Sequence, residues 1–239
     1  VRVDVALTAE FSPGTTLANC HAVVIDTLRA SSTIVSALSS GALGVLPVED
    51  VELARTRARE LGAVLGGERG ALPVDGFDLG NSPSSYDAAT VGGRMVVLTT
   101  TNGTRAVAGL RGARAIYAGC LLNAEATARA LVESGAQDVL LVACGRSGVV
   151  SADDVAAAGC IVGSLLLMAA AEPSDSARVA IALFDAWKHD LGGLLSRCAA
   201  GRKLASVGLG EDLPDCARVD TMPVVARLDG GGVFRSSTT

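Results

Sequence analysis

Aromatic side chains are almost missing from this 239-residue chain, which has one Trp, two Tyr and four Phe, 3% of the whole. Without large rings, an interior of this size must be filled by Ala, Val and Leu, which suits closely packed helix-on-sheet layers better than an aromatic-rich β-sandwich. Charge is also scarce, at 19% against about 25% in ordinary domains. The 20 basic residues are outnumbered by 25 acidic ones, for a net charge of −5, and no Lys/Arg run occurs. The electrostatic footprint of a nucleic-acid partner is therefore lacking. Histidine occurs only at His21 and His189, and no His/Asp cluster suggests zinc. The six cysteines, Cys20, Cys120, Cys144, Cys160, Cys198 and Cys216, are scattered without a C-x-x-C pair; they are expected to be small buried hydrophobes rather than disulfides or zinc ligands. The most apolar stretch, Val155 to Ala171, ends at Glu172-Pro173 and falls short of the roughly 20 residues of a membrane span, so it reads as a buried core helix and no membrane partner is expected. The opening VRVDVAL carries no basic region followed by a long apolar run, and the cytoplasm is the expected location.

Several catalytic signatures are absent too. There is no Gly-x-x-x-x-Gly-Lys-Ser/Thr and no Gly-x-Gly-x-x-Gly after the early strands, which removes P-loop nucleotidases and the dinucleotide-binding fingerprint. Neither a Cys five residues before an Arg nor a Gly-x-Ser-x-Gly is present, which removes cysteine phosphatases and α/β-hydrolases.

What is present is apolar and alternating. Hydrophobic residues make up 49% and Gly adds 28 positions. Strand-length apolar runs occur at 1–7, 22–25, 43–48, 63–65, 95–98, 115–117, 139–143 and 224–228. Between most of them lie helical patterns, at 32–40, 50–61, 104–110, 123–134, 155–171 and 177–187, each with a Ser, Asp, Asn or Thr near its start. Several strands are apolar throughout, as strands covered on both faces should be. The expected architecture is a three-layer α/β/α domain spanning the chain, with a largely parallel or mixed central sheet. So much apolar content with so little charge also predicts a homodimer or higher homo-oligomer.

The polar residues fall just after predicted strands, where open α/β sheets bind ligands. In Asp26-Thr27-Leu28-Arg29-Ala30-Ser31-Ser32-Thr33 a carboxylate, a guanidinium and three hydroxyls precede a helix. Arg29 offers a fork for phosphate oxygens, Ser31, Ser32 and Thr33 offer donors, and Asp26 can bind Mg²⁺ or attack phosphorus. Thr99 to Arg105 holds a second cluster, in which Thr101, Asn102, Gly103 and Thr104 form a turn able to point N–H groups at an anion. The Gly-rich stretch from Gly66 to Pro83 brings Glu68, Asp78 and Asn81, hard oxygen ligands of the kind Mg²⁺ accepts, together with Arg69 and Ser82. Further on, Arg146 follows Cys144-Gly145, and Ser151 with Asp154 fits a capping box, with Asp153 or Asp154 able to reach a metal.

These segments, from Asp26–Thr33, Gly67-Glu68-Arg69-Gly70 and Gly76–Pro83 through Thr100–Ala106, closely resemble the 2-phosphosulfolactate phosphatase family of coenzyme M biosynthesis. The resemblance continues through Cys144-Gly145-Arg146 and Asp153-Asp154 to Leu204, Gly208, Glu211-Asp212, Cys216 and Met222-Pro223, nearly the whole chain. It implies an α/β fold and Mg²⁺-dependent phosphomonoesterase activity on a phosphorylated 2-hydroxy acid, (2R)-2-phospho-3-sulfolactate giving 3-sulfolactate and phosphate. Two departures stand out. A His that the family often carries before the glycine near the C-terminal helix is replaced at Ala200-Gly201, and its Glu-Asp pair appears as Asp153-Asp154. No proton-transfer role for that His carries over. The expected site has Asp26 and Arg29 as catalytic residues. Substrate is expected at Ser31, Ser32, Thr33, Arg69, Asn81, Ser82, Thr101, Asn102, Gly103, Thr104 and Arg146, and Mg²⁺ at Asp26, Glu68, Asp78 and Asp154. A second anion on the substrate would need its own donors, from Arg69, Arg146 or the Thr-Asn-Gly-Thr turn. A non-hydrolytic phospho-ligand enzyme such as an isomerase, or a phospho-ligand binding protein, remains as the alternative.

Overall fold

The structure, a computed structural model, describes residues 1–10, 17–100 and 103–237. In chain order its strands are β1 (Arg2–Ala6), β2 (Cys20–Ile25), β3 (Gly44–Pro47), β4 (Val64–Arg69), β5 (Leu72–Pro73), β6 (Met95–Thr99), β7 (Ala115–Ala118), β8 (Asp138–Ala143), β9 (Glu172–Pro173), β10 (Val225–Leu228) and β11 (Phe234–Ser237). The helices are α1 (Ala30–Ser39), α2 (Val51–Leu61), α3 (Ala88–Val91), α4 (Gly103–Gly109), α5 (Ala124–Glu133), α6 (Ala152–Met168), α7 (Asp175–Trp187), α8 (Leu191–Arg197), α9 (Ala199–Ser206) and α10 (Asp212–Cys216).

The expected α/β architecture is present, with a mixed sheet in the order β5-β4-β6-β3-β11-β10-β7-β2-β8-β1-β9. β4, β6 and β3 are mutually parallel, as are β7, β2, β8, β1 and β9. The β10–β11 hairpin is antiparallel to both neighbours, so three antiparallel steps separate the two groups and they run in opposite senses. Strand twist of roughly 20–25° per step accumulates over the steps from β2 to β6. The carboxyl ends of the two groups meet at one cleft, lined by Asp26 and Gly145 from one group and by Glu68 and Thr100 from the other.

Residue alternation on the central strands explains the layers. Val23 and Ile25 of β2 and Val139 and Leu141 of β8 face one core with buried residues of α5, α6, α7 and α8. Ala22, Val24, Leu140 and Val142, one residue out of step, face the opposite core with α1. Both faces are covered, which is why these strands read as unbroken apolar runs. A smaller core of Ala54, Ala58, Leu65 and Val97 seats α2 against β4 and β6. That helix starts where Asp50 accepts the N–H of Leu53 at 2.8 Å and stops at the left-handed Gly62.

The Ser151 start of α6 departs from expectation. Its side chain does not cap the helix; it donates to Asp153, and Asp154 turns away from the helix to hold neighbouring loops. Among the described residues no helix is long and apolar enough to cross a membrane.

Candidate active site

The cleft where the strand groups meet encloses about 210 Å³. Asp26, the residue after β2, lies in it. Its carboxylate accepts the N–H of Ala30 at 3.3 Å and a backbone N–H from Gly103. Burial pushes its carboxyl up to about 7; the charges of Asp153 and Glu68 add to the rise, and the two N–H groups oppose it. Asp153 and Asp154, in the first turn of α6, are held high mainly by burial as well, and Asp154 also by the charges of Asp153 and Asp26. Four carboxyl groups, Asp26, Glu68, Asp153 and Asp154, thus line one cleft.

Asp154 performs a structural task within that cluster. Its Oδ1 accepts the N–H of Thr27 at 2.7 Å and its Oδ2 accepts that of Gly145 at 2.9 Å, clamping the loops after β2 and β8 together. Asp153, one residue earlier, accepts from Ser151. Arg29 lines the cleft through a different restraint. Its Nη1 donates to Asp212 at 2.6 Å and to Ser82 at 3.2 Å, its Nη2 donates to the carbonyl of Ala71 at 2.7 Å, and both ion-pair members are buried. Ser82 also donates to Asp212, at 3.0 Å. Ser82 therefore steadies the arginine.

The hydroxyls after Arg29 fold the loop and do not line the cleft. Ser31 accepts the N–H of Asp26 at 3.0 Å and donates to the carbonyl of Val24, and Ser32 donates to that of Thr27 at 2.8 Å. Thr33 donates to the carbonyl of Asn81 at 2.9 Å, which fixes Asn81 in the cleft wall. Their sequence pattern cannot distinguish donors to a ligand from donors to the chain's own carbonyls. Asn81 is 3% exposed, and among the described residues its Oδ1 has no hydrogen-bond partner. A buried acceptor without a donor is costly, and an incoming ligand or cation would relieve it.

Glycine at two positions lets the wall carrying Glu68 approach. A Cβ on Gly66 would lie 1.9 Å from the Tyr86 hydroxyl, and one on Gly67 would lie 2.3 Å from the carbonyl of Thr99. Neither contact is tolerable, so β4 can pack this closely only with glycine there. Glu68 accepts the N–H of Ala71 at 2.7 Å.

Two further expected site residues lie elsewhere. Asp78 accepts the N–H of Leu65 at 2.9 Å and faces a shallow surface depression beside Arg55, so it is not among the cleft's carboxylates. Arg69 donates to the carbonyls of Glu68 and Glu49 and to Thr99, and its guanidinium braces the β4 end outside the cleft. Arg146 does line the cleft, as do Thr100 and Gly145. Thr101 and Asn102 lie outside the described residues, as does the side chain of Thr104. Two participants carried no sequence reading as site residues: Asp212 as the partner of Arg29, and Lys203 of α9, which lines the cleft with Ala200 and Leu204; Asp153, read only as one of two aspartates able to reach a metal, lines the cleft and its charge raises Asp26. The i, i+3, i+4 spacing of 200, 203 and 204 is the signal that could have placed Lys203 on one helix face. The six cysteines are buried and free, and burial pushes the thiols up, to about 11 at Cys20 and Cys120 and about 12 at Cys198, so none is poised as a nucleophile.

A mixed sheet flanked by helices, with buried carboxylates gathered at strand carboxyl ends, defines an α/β enzyme of the kind that works on a small ligand at the sheet edge. The chain belongs to the 2-phosphosulfolactate phosphatase family: the family model described as 2-phosphosulpholactate phosphatase matches residues 6–231. A protein of Clostridium acetobutylicum described as a probable 2-phosphosulfolactate phosphatase is 36% identical over 98% of this chain and 100% of its own length. One of Caldanaerobacter subterraneus subsp. tengcongensis with the same description is 36% identical over 91% of this chain and 90% of its own. Another, of Thermotoga petrophila, is 38% identical over 88% and 89%.

Proposed function

We propose that the chain is a phosphoric monoester hydrolase that cleaves the phosphate from a 2-phospho acid, with 2-phospho-3-sulfolactate as substrate and 3-sulfolactate and phosphate as products. The observation that carries this reading is Asp26: a buried carboxyl, raised to about 7, that faces the cleft between backbone donors and further carboxylates. A group so poised can accept a proton from water or attack phosphorus near neutral pH. The relatives' descriptions support the substrate.

A cluster of carboxylates would repel a phosphate ester unless a cation stood between them. The donor set fits one: Asp26, Asp153 and Glu68 offer hard anionic oxygens, and the unpartnered Asn81 Oδ1 offers a neutral one. Among the described residues no three His, Cys, Asp or Glu side chains are grouped closely enough to hold an ion by themselves. One or two carboxylates, completed by phosphoryl oxygens and water, is how Mg²⁺ is often bound. When bound, Mg²⁺ supplies charge neutralisation at the phosphoryl oxygens and the departing alkoxide. Asp78 is no part of this set, and Asp154 serves chiefly as the clamp.

The protein's own residues orient and desolvate. Arg29, held rigid by Asp212, presents a fixed positive edge to the cleft, and the N–H groups of Ala30 and Gly103 hold the Asp26 carboxylate in one orientation. Release of inorganic phosphate from 2-phospho-3-sulfolactate tests the reading. An isomerase or a phospho-ligand binding protein with the same cleft would release none. Self-association is proposed on the exposed Leu167 and Val179; sedimentation at micromolar concentration as a single copy would refute it.

A further inference from the structure

Three cations line the cleft, Arg29, Arg146 and Lys203, and they differ in one respect. Arg29 is neutralised by Asp212. Among the described residues, Arg146 and Lys203 have no ion-pair or hydrogen-bond partner for their side-chain nitrogens. Arg146 stands in the loop between β8 and α6, whose backbone is pinned by paired bonds between Arg146 and Val149 at 2.9 and 3.0 Å. Lys203 projects from the face of α9 that also brings Ala200 and Leu204 to the cleft, and it is only partly exposed. The start of α9 is tied to the acid cluster, because Cys198, which caps the helix by accepting the N–H of Gly201, also contacts the Asp153 carboxyl. The helix, and Lys203 with it, is thereby referenced to the catalytic carboxylates.

The cleft also holds four carboxyl groups, yet neither Arg146 nor Lys203 is bonded to one of them, so both keep donors to offer an anionic ligand. The phosphoryl group is already spoken for by the carboxylate end, where a hard cation fits. Among the described residues the other two arginines offered for anions, Arg29 and Arg69, are engaged with protein acceptors. Building on the hydrolase reading, we infer that Lys203, with Arg146, binds the substrate's second, non-transferred anionic group, the sulfonate of a 2-phospho-3-sulfo acid. A sulfonate remains ionised at every physiological pH and presents three equivalent oxygens, which suits a compact ammonium and an exposed guanidinium without demanding a planar bidentate match. Lys203 is then a specificity-determining residue, one that separates sulfonated 2-phospho acids from 2-phospholactate.

The experiment compares the affinities of 3-sulfolactate and lactate, measured calorimetrically at low salt, for the wild type and for Lys203→Met, Lys203→Arg and Arg146→Met. The wild type is expected to prefer 3-sulfolactate by tenfold or more. Lys203→Met should collapse that ratio towards one, Arg146→Met should reduce it, and Lys203→Arg should retain most of it. Turnover adds a second readout: Lys203→Met should raise KM for the sulfonated ester relative to 2-phospholactate while the kcat ratio changes little. An unchanged ratio in Lys203→Met, equal losses for both ligands, or no preference in the wild type overturns the assignment. If no phosphate ester is hydrolysed and the 3-sulfolactate preference still depends on Lys203, the hydrolase reading falls and the anion site stands.

Discussion

The guanidinium of Arg29 stands 2.6 Å from the carboxylate of Asp212, both buried, and joins the loop after β2 to a short helix 183 residues later in the chain. The pair explains how the Arg29 charge, three residues after Asp26, is accommodated in a buried position in the cleft wall. It also makes Asp212, which does not itself line the cleft, a positioning residue for the site.

Removing Asp212 leaves the Arg29 charge buried and unpaired, a loss worth about 3–5 kcal/mol in comparable buried pairs. Asp212→Ala is expected to lower the urea midpoint substantially. Asp212→Asn, which keeps an acceptor for Arg29 and Ser82, should cost less. Equal stabilities for the wild type and Asp212→Ala would contradict a buried pair.

Asp154→Ala removes the acceptor of two buried backbone N–H groups, those of Thr27 and Gly145. The expected cost is about 2–6 kcal/mol, at about 1–3 for each unsatisfied donor. Hydrogen exchange should report faster opening at both amides, and protection left intact at either one would separate Asp154 from that loop.

The raised carboxyls make stability depend on pH in a stated direction. Asp26, Asp153 and Asp154 hold protons in the folded chain that the unfolded chain has already released above its ordinary value of 3.8. Where the folded state binds more protons, stability falls as pH rises. For Asp26 that window runs from about 4 to about 7. The metal-free protein's Tm should therefore decline across this range, less steeply in Asp26→Asn, and added Mg²⁺ should raise Tm more at pH 8 than at pH 5. A Tm that rises with pH over the same window would contradict the burial of these acids.

Much of the fold was legible because its central strands are buried on both faces: each of the eight apolar runs became a strand of the sheet. β11 escaped notice because Phe-Arg-Ser-Ser offers a single apolar residue, and with it went the antiparallel hairpin that reverses the sheet. The region of α8, α9 and α10 gave little periodic signal, being short helices containing Gly192, Gly193, Gly201 and Pro214, and it supplies both Asp212 and Lys203. Asp26, Arg29, Glu68, Asn81 and Arg146 could be picked out from their places after strands or in a Gly-rich loop. What the pattern could not show was how donors are spent. Ser31, Ser32 and Thr33 look like an anion cradle, and their hydroxyls go to carbonyls of the chain itself.

The central claim is that the Asp26 cleft hydrolyses a 2-phospho acid, and the most direct measurement is phosphate release from 2-phospho-3-sulfolactate by the wild type and by Asp26→Asn, each in metal-free buffer and with Mg²⁺ restored. The substitution keeps the size of the side chain and removes its negative charge. The account predicts turnover by the wild type only with Mg²⁺, and a loss of at least about 10³-fold in kcat for Asp26→Asn, or some 4 kcal/mol of barrier. Near-normal release by a folded Asp26→Asn protein, or no release by the wild type under any condition, would contradict it.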